Sequence, residues 1–133
     1  MYEFQVQAQA QFEPDQSDPL RKLYRFSYTI TVTNASPRPA QLIARYWLIT
    51  DAEGNQQQVK GLGVVGRQPL LQPGESFSYS SGCEIHTPTG TMQGHYVCVD
   101  ESGEPFQSPI PLFVLHATDD GSTVLAPAPH TLH

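Results

Sequence analysis

Apolar and polar residues alternate with a period of two over several stretches of this chain. From Tyr2 to Phe12, every even-numbered residue is apolar and every odd-numbered residue is Glu or Gln. From Tyr24 to Thr33, apolar residues alternate in the same way with Arg, Ser and Thr. Because successive side chains of a strand point to opposite faces, both stretches predict β-strands with one buried face.

Turn signals rich in Gly, Pro, Asn and Asp separate the remaining predicted strands. The stretch 40–50 is apolar on both faces, as expected of a strand that is buried on both sides or covered by a partner. The last strand, 105–115, contains Pro109 and Pro111, which indicate an edge strand with a bulge. The other strands are predicted at 56–60, 76–83 and 92–100.

Seven or eight short strands predict an all-β fold, an antiparallel β-sandwich of immunoglobulin-like or fibronectin type III-like architecture. A closed barrel is the alternative. The predicted domain covers residues 1–116. Residues 117–133 are small, polar and without periodicity, and they predict a flexible C-terminal tail.

Charge and composition narrow the classes of partner. The chain has 133 residues and a net charge of −6, and all its Lys and Arg residues lie between Arg21 and Arg67. This distribution argues against nucleic-acid binding and against adsorption to an anionic membrane. The first residues lack the basic and apolar segments of a secretory signal, and no apolar run reaches membrane-spanning length. We therefore expect a cytoplasmic protein.

The two cysteines and two of the histidines lie in or beside a predicted hairpin formed by 76–83 and 92–100. In that hairpin Cys83 lies opposite about Met92 and Cys98 lies far from it, so no disulfide is expected. The same hairpin would bring His86 and His95 close together. No standard metal-ligand spacing accompanies these residues, so no metal site and no cofactor are predicted.

A glycine run, Gly61-Leu62-Gly63-Val64-Val65-Gly66, matches the pattern G-x-G-x-x-G. In a dinucleotide-binding fold this run follows a buried strand and opens a helix, and that context is missing here, which argues against a dinucleotide site. Successive glycines can nevertheless expose backbone N–H groups to an anion. The alternative is that they allow a bulge or a tight crossing between sheets, a common role of glycine in sheet proteins. The predicted phosphate, pyrophosphate or nucleotide site consists of Lys60, Gly61, Gly63, Gly66 and Arg67.

Residues arranged for catalysis are not evident in the sequence. It has no G-x-S-x-G motif, and no Ser or Cys has an obvious His partner. Most carboxylates fall in predicted turns, where they are solvated. We therefore predict that the chain is not an enzyme.

Several segments in a fixed order resemble the bacterial ApaG family. They are Phe26–Asn34, Arg45–Trp47, the glycine run with Gln68-Pro69, Pro73–Glu75, Tyr79–Gly82, Thr87–Tyr96 and Ile110–Phe113. The resemblance covers about residues 2–116. One departure is Tyr46, which stands where the family often has His.

The resemblance implies an immunoglobulin-like or fibronectin-like sandwich without established enzymatic activity. Related domains occur in F-box proteins and in a protein that interacts with a DNA polymerase, which implies protein–protein interaction. The family is also linked to cobalt resistance and magnesium efflux, and its glycine run to nucleotide or pyrophosphate binding.

Two hypotheses for function follow. The first is a non-catalytic interaction module that binds an unidentified protein partner or a second copy of itself. The alternative is a protein that binds phosphate, pyrophosphate or a nucleotide through the G-x-G-x-x-G loop.

Overall fold

The computed structural model describes residues 4–117 and the backbone of 123–125. Two 3₁₀ turns, Pro14–Gln16 and Pro19–Arg21, lie between the first two strands. The strands are β1 (Phe4–Phe12), β2 (Tyr24–Asn34), β3 (Ala40–Asp51), β4 (Gln56–Leu62), β5 (Leu70–Leu71), β6 (Ser76–Ile85), β7 (Thr89–Asp100), β8 (Pro105–His116) and β9 (Thr123–Leu125). The predicted all-β class is confirmed.

The strands form two antiparallel sheets, as predicted for a β-sandwich. The four-stranded sheet has the order β6-β2-β1-β9. The five-stranded sheet has the order β4-β3-β7-β8, with the short β5 pairing with β3. Seven of these described strands are long, which agrees with the predicted number.

Alternation along the strands places one face of each sheet in a common core. On β1 and β2 the predicted apolar positions are buried, among them Ala10, Phe26 and Ile30. Aromatic side chains from both sheets meet in the centre, where the Tyr28 ring lies 5.5 Å from the Trp47 ring and 6.0 Å from the Phe113 ring, between centroids. The core is therefore built from the period-two pattern that the sequence shows.

The predicted hairpin between 76–83 and 92–100 is wrong. Strand β6 belongs to the four-stranded sheet and β7 to the five-stranded sheet, so the chain crosses from one sheet to the other between them. Both strands have one buried face and face each other through the core. An alternating pattern is the same for strands that pair side by side and for strands that face each other, so it did not distinguish the two arrangements.

The cysteines are buried and free. The Cys83 thiol donates to the Met92 sulfur, 3.8 Å away across the core. Burial raises the pKa of the Cys83 thiol to about 12, and that of the Cys98 thiol to about 12. Both thiols are therefore protonated and unreactive near neutral pH.

The two edges of the five-stranded sheet are formed by β8 and β4. As predicted, β8 is an edge strand, and its pairing with β7 shifts register between Met92 and Gly94. A second bulge lies in β3, where Ile43 is the extra residue between the paired residues Leu42 and Ala44. This bulge sets which β3 side chains point outward beyond residue 43.

Part of the segment predicted as a flexible tail is described. The N–H of Ala117 donates to the carbonyl of Pro88 at 2.8 Å. Strand β9 pairs with residues 9–11 of β1 in antiparallel register. Residues 118–122 and 126–133, on which most of the tail prediction falls, lie outside the described residues.

Candidate functional site

The outward face of the five-stranded sheet carries a stacked pair of rings. Tyr46 on β3 is opposite Lys60 on β4 and His95 on β7, so all three side chains lie on this outer face. The Tyr46 and His95 rings are stacked, with centroids 5.0 Å apart and planes inclined by 25°. The Lys60 ammonium lies 5.8 Å from the centroid of the Tyr46 ring, a cation–π contact.

An open groove of about 540 Å³ runs along this face between β4, β3 and β7. Leu62, which is 76% exposed, forms part of its apolar lining. None of the lining residues is acidic, although the chain has a net charge of −6. The lining residues of this outer groove are Ala44, Arg45, Tyr46, Lys60, Gly61, Leu62, His95 and Val97.

Arg45 also borders the outer groove, but its side chain points to the other face of the sheet, because Arg45 alternates with Tyr46 along β3 and pairs with Gly61. Its guanidinium group donates to the carbonyl of Leu62 at 3.1 Å and to the carbonyl of Gly63 at 2.8 Å. A Cβ atom on Gly61 would lie only 2.8 Å from the nearest nitrogen of this guanidinium group. Glycine at position 61 therefore leaves the space in which Arg45 crosses β4.

The end of the glycine run is a two-residue hairpin. Val64 and Arg67 exchange both backbone hydrogen bonds, at 2.8 and 2.9 Å. The central residues, Val65 and Gly66, have φ values of 43° and 80°. Positive φ at both positions is the conformation of a type I′ turn, the turn that best matches the twist of paired strands. We call residues 63–67 the glycine hairpin.

Three of the five backbone N–H groups of the glycine hairpin already have partners. The N–H of Gly63 donates to the Ile43 carbonyl at 2.6 Å, and the N–H groups of Val64 and Arg67 bond to each other's carbonyls. A Cβ on Gly63 would lie 2.4 Å from the Arg67 carbonyl oxygen, and φ at Gly63 is +66°. Glycine is therefore required at position 63 by its positive φ and by the close approach of the Arg67 carbonyl within the hairpin.

The residues of the predicted anion site are divided between two places. Lys60 and Gly61 line the outer groove. Gly63, Gly66 and Arg67 belong to the glycine hairpin, and the Arg67 guanidinium carbon lies 5.5 Å from the centroid of the Phe77 ring on β6. The anion site stays a prediction, and the backbone N–H groups of Gly63, Val64 and Arg67 are already bonded to carbonyl groups of the chain.

The pairing of Tyr46 with His95 was not predicted. The sequence instead predicted that His95 would lie near His86. In the structure, Nδ1 of His86 is 3.1 Å from the carbonyl oxygen of Lys22. Finding the Tyr46–His95 pair required the register between β3 and β7, which no local pattern specifies.

The structure adds two observations on other kinds of site. In the part of the chain that is described, no group of three or more His, Cys, Asp or Glu side chains could hold a metal ion. Among the same residues, no helix is long and apolar enough to cross a membrane.

The two sheets define a β-sandwich domain with an open groove on one outward face. The family model of the ApaG domain matches residues 14–100. The chain is 54% identical over 132 residues to Protein ApaG of an Acidovorax strain, an alignment that covers 99% of this chain and 96% of the relative. This chain belongs to the ApaG family.

Solved structures agree with this assignment. The crystal structure of the putative ApaA protein from Bordetella pertussis has a TM-score of 0.86 at 51% identity and covers 89% of this chain and 96% of that chain. A part of a Bacteroides uniformis β-glucuronidase gives a TM-score of 0.53 at 14% identity, covering 81% of this chain and 13% of the enzyme. The second likeness shows the fold alone.

Proposed function

We propose that this ApaG-family chain is a non-catalytic protein-binding module whose binding surface is the outer groove. The observation that carries the proposal is the contrast between the two outward sheet faces. On the four-stranded sheet, Thr and Ser side chains of β2 and β6 bond to one another, as in Thr29–Ser80 at 2.7 Å. On the five-stranded sheet, stacked rings and the exposed Leu62 line a groove without such pairs.

Exposed apolar and aromatic surface is typical of the centre of a protein interface. The Tyr46 ring gives a large contact area, and the neighbouring Lys60 can pair with a carboxylate at the rim. The cobalt-resistance and magnesium-efflux links of the family would then act through the bound partner.

A capture experiment with matched variants tests this proposal. The wild type and the Leu62→Asp and Leu20→Asp variants are immobilised, and proteins bound from a bacterial extract are quantified by mass spectrometry. Leu20 is a control because it is 98% exposed and lies on a 3₁₀ turn, outside the groove lining. We expect a partner that the wild type and Leu20→Asp capture equally and that Leu62→Asp loses by about tenfold or more. Capture that is equal for all three folded proteins would contradict the proposal.

The second candidate function is the binding of phosphate, pyrophosphate or a nucleotide near the glycine hairpin. The absence of acidic residues from the groove lining favours it, since the Lys60 ammonium faces no carboxylate there. Calorimetric titration of pyrophosphate into the wild type and the Lys60→Ala and Gly63→Val variants tests it. Binding that Lys60→Ala weakens supports the candidate, whereas no heat at millimolar ligand would refute it.

A further inference from the structure

Strand β4 leaves one row of its backbone groups without a partner among the described strands. The N–H of Asp51 donates to the Asn55 carbonyl, and the N–H of Gly63 donates to the Ile43 carbonyl. Asp51–Asn55 and Ile43–Gly63 are thus hydrogen-bonded pairs at the two ends of the β3–β4 ladder. Along an antiparallel ladder, hydrogen-bonded pairs alternate with pairs that exchange no hydrogen bond. The N–H and C=O groups of Gln56, Gln58 and Lys60 therefore point away from β3, toward the open edge.

The opposite edge of the same sheet is protected. Strand β8 contains Pro105, Pro109 and Pro111, which lack N–H donors, and its register shift disrupts regular pairing. Strand β4 has no proline and no register shift, and none of the described strands pairs with its outer edge. Sheets whose edges are not blocked in this way can accept an additional strand.

Side chains beside the open edge indicate the chemistry of such a strand. Residues 56–62 contain one cation, Lys60, and no acid. The same outward face offers the exposed Leu62 and the stacked ring of Tyr46. An incoming strand with carboxylates among aliphatic side chains would complement both features.

We propose that the open edge of β4 binds an extended, acidic segment of a partner protein as an added strand, with a carboxylate beside Lys60 and an aliphatic side chain over Leu62. This inference rests on the proposed function, because it names the partner of the same surface. The positive charge of Lys60 favours an acidic partner over a second copy of this chain. If β4 paired with β4 of a second copy, two strands that each carry Lys60 and no acidic residue would lie side by side.

Short labelled peptides test the inference in solution. The first peptide carries Glu and Val in turn at every second position, with Thr between them, so that Glu and Val lie on the same face of the extended strand. The second peptide has Lys in place of each Glu, and the third is the Glu peptide with N-methyl groups on alternate backbone amides. Fluorescence anisotropy measures their binding to the full chain. We expect saturable binding of the Glu peptide alone, because the Lys peptide opposes Lys60 and N-methylation removes donors from one edge of the peptide.

Variants of the protein separate the contribution of the β4 backbone edge to peptide binding from the contribution of the Lys60 charge. Gln58→Pro removes one N–H that points outward while leaving the ladder to β3 intact, and we expect about tenfold weaker binding. Ser78→Pro is the matched control, because β6 is also an outer strand and Ser78 lies at an equivalent outward position beside Thr31. Lys60→Glu should weaken binding of the Glu peptide about tenfold, and Lys22→Glu should leave it unchanged.

Two results would overturn the inference. One is equal binding of the Glu and Lys peptides, or no binding of either. If this occurs while Leu62→Asp still abolishes capture of a partner, the added strand is refuted and the proposed function stands. The other is a dimer in sedimentation velocity that Gln58→Pro dissociates and Ser78→Pro does not, since a second copy would then hold the edge.

Discussion

Val65 adopts a left-handed backbone conformation at the tip of the glycine hairpin, with φ at 43°. A β-branched side chain is poorly suited to this conformation, which costs about 1–2 kcal/mol in a residue with a Cβ. The side chain is 56% exposed, so its contacts do not offset this cost fully. The strain is imposed by the turn, because a type I′ turn requires positive φ at both central residues.

Replacement of Val65 by Asn should stabilise the protein by about 1 kcal/mol, because Asn tolerates the left-handed region and Asn-Gly is the preferred type I′ pair. Urea unfolding followed by circular dichroism measures the change. Val59→Asn is the control, since Val59 lies within β4, where φ is not positive and Asn is disfavoured. A free energy of unfolding that Val65→Asn lowers would contradict the strain argument.

At the scale of elements, the turn from β3 to β4 is organised by one carboxylate. Asp51 accepts hydrogen bonds from the N–H groups of Glu53 and Asn55 and from the Asn55 side-chain amide, at 2.9 to 3.1 Å. Burial raises the pKa of Asp51, but the bonds from Asn55 and Glu53 and the nearby His86 outweigh it and lower the pKa below the ordinary value. The turn therefore favours the ionised carboxylate.

Stability should depend on Asp51 in a pH-dependent way. Because the pKa of Asp51 is lower in the folded chain, its contribution is present above the ordinary value of 3.8 and is lost as pH falls through the folded value. The wild type should exceed Asp51→Asn in free energy of unfolding at neutral pH, and the difference should shrink in acid. Urea titrations between neutral and acid pH measure it. Asp15→Asn, on an exposed 3₁₀ turn, is the control for replacement of a carboxylate outside this turn.

Among the elements, the edge position of β8 was predicted from the sequence. Pro109 and Pro111 indicated the edge position of β8, because a proline cannot donate within a ladder. The partners of β6 and β7 were not predictable in this way. Their alternation reports a buried face and carries no information on which strand lies alongside.

At the scale of the whole molecule, a hydrogen bond between two tyrosine hydroxyl groups joins the two sheets inside the core. The hydroxyl groups of Tyr79 on β6 and Tyr96 on β7 are 2.5 Å apart, and both side chains are buried. Burial raises the pKa of Tyr79 to about 12, and burial together with the Tyr79 hydroxyl raises the pKa of Tyr96 as well. Each hydroxyl satisfies the other in a region without solvent.

Removal of one of these hydroxyl groups should cost about 1–3 kcal/mol, because the other is left buried without a partner. Urea unfolding of Tyr79→Phe, Tyr96→Phe and the double variant measures this cost. The double variant should be destabilised by less than the sum of the single variants, since it leaves no unpaired hydroxyl. Additive losses would show that the two groups act independently.

The sequence by itself determined the strands, their buried faces, the edge position of β8 and the resemblance to the ApaG family. These follow from residues that are close along the chain, such as the alternation from Phe4 to Phe12. The tertiary structure alone decided that β6 and β7 face each other, that Tyr46 stacks on His95, and that the Gly63 N–H is occupied by Ile43. Those facts depend on sheet partners and register, which are set by packing between residues distant in sequence. For the same reason the outer groove and the open edge of β4 became visible only in the folded chain.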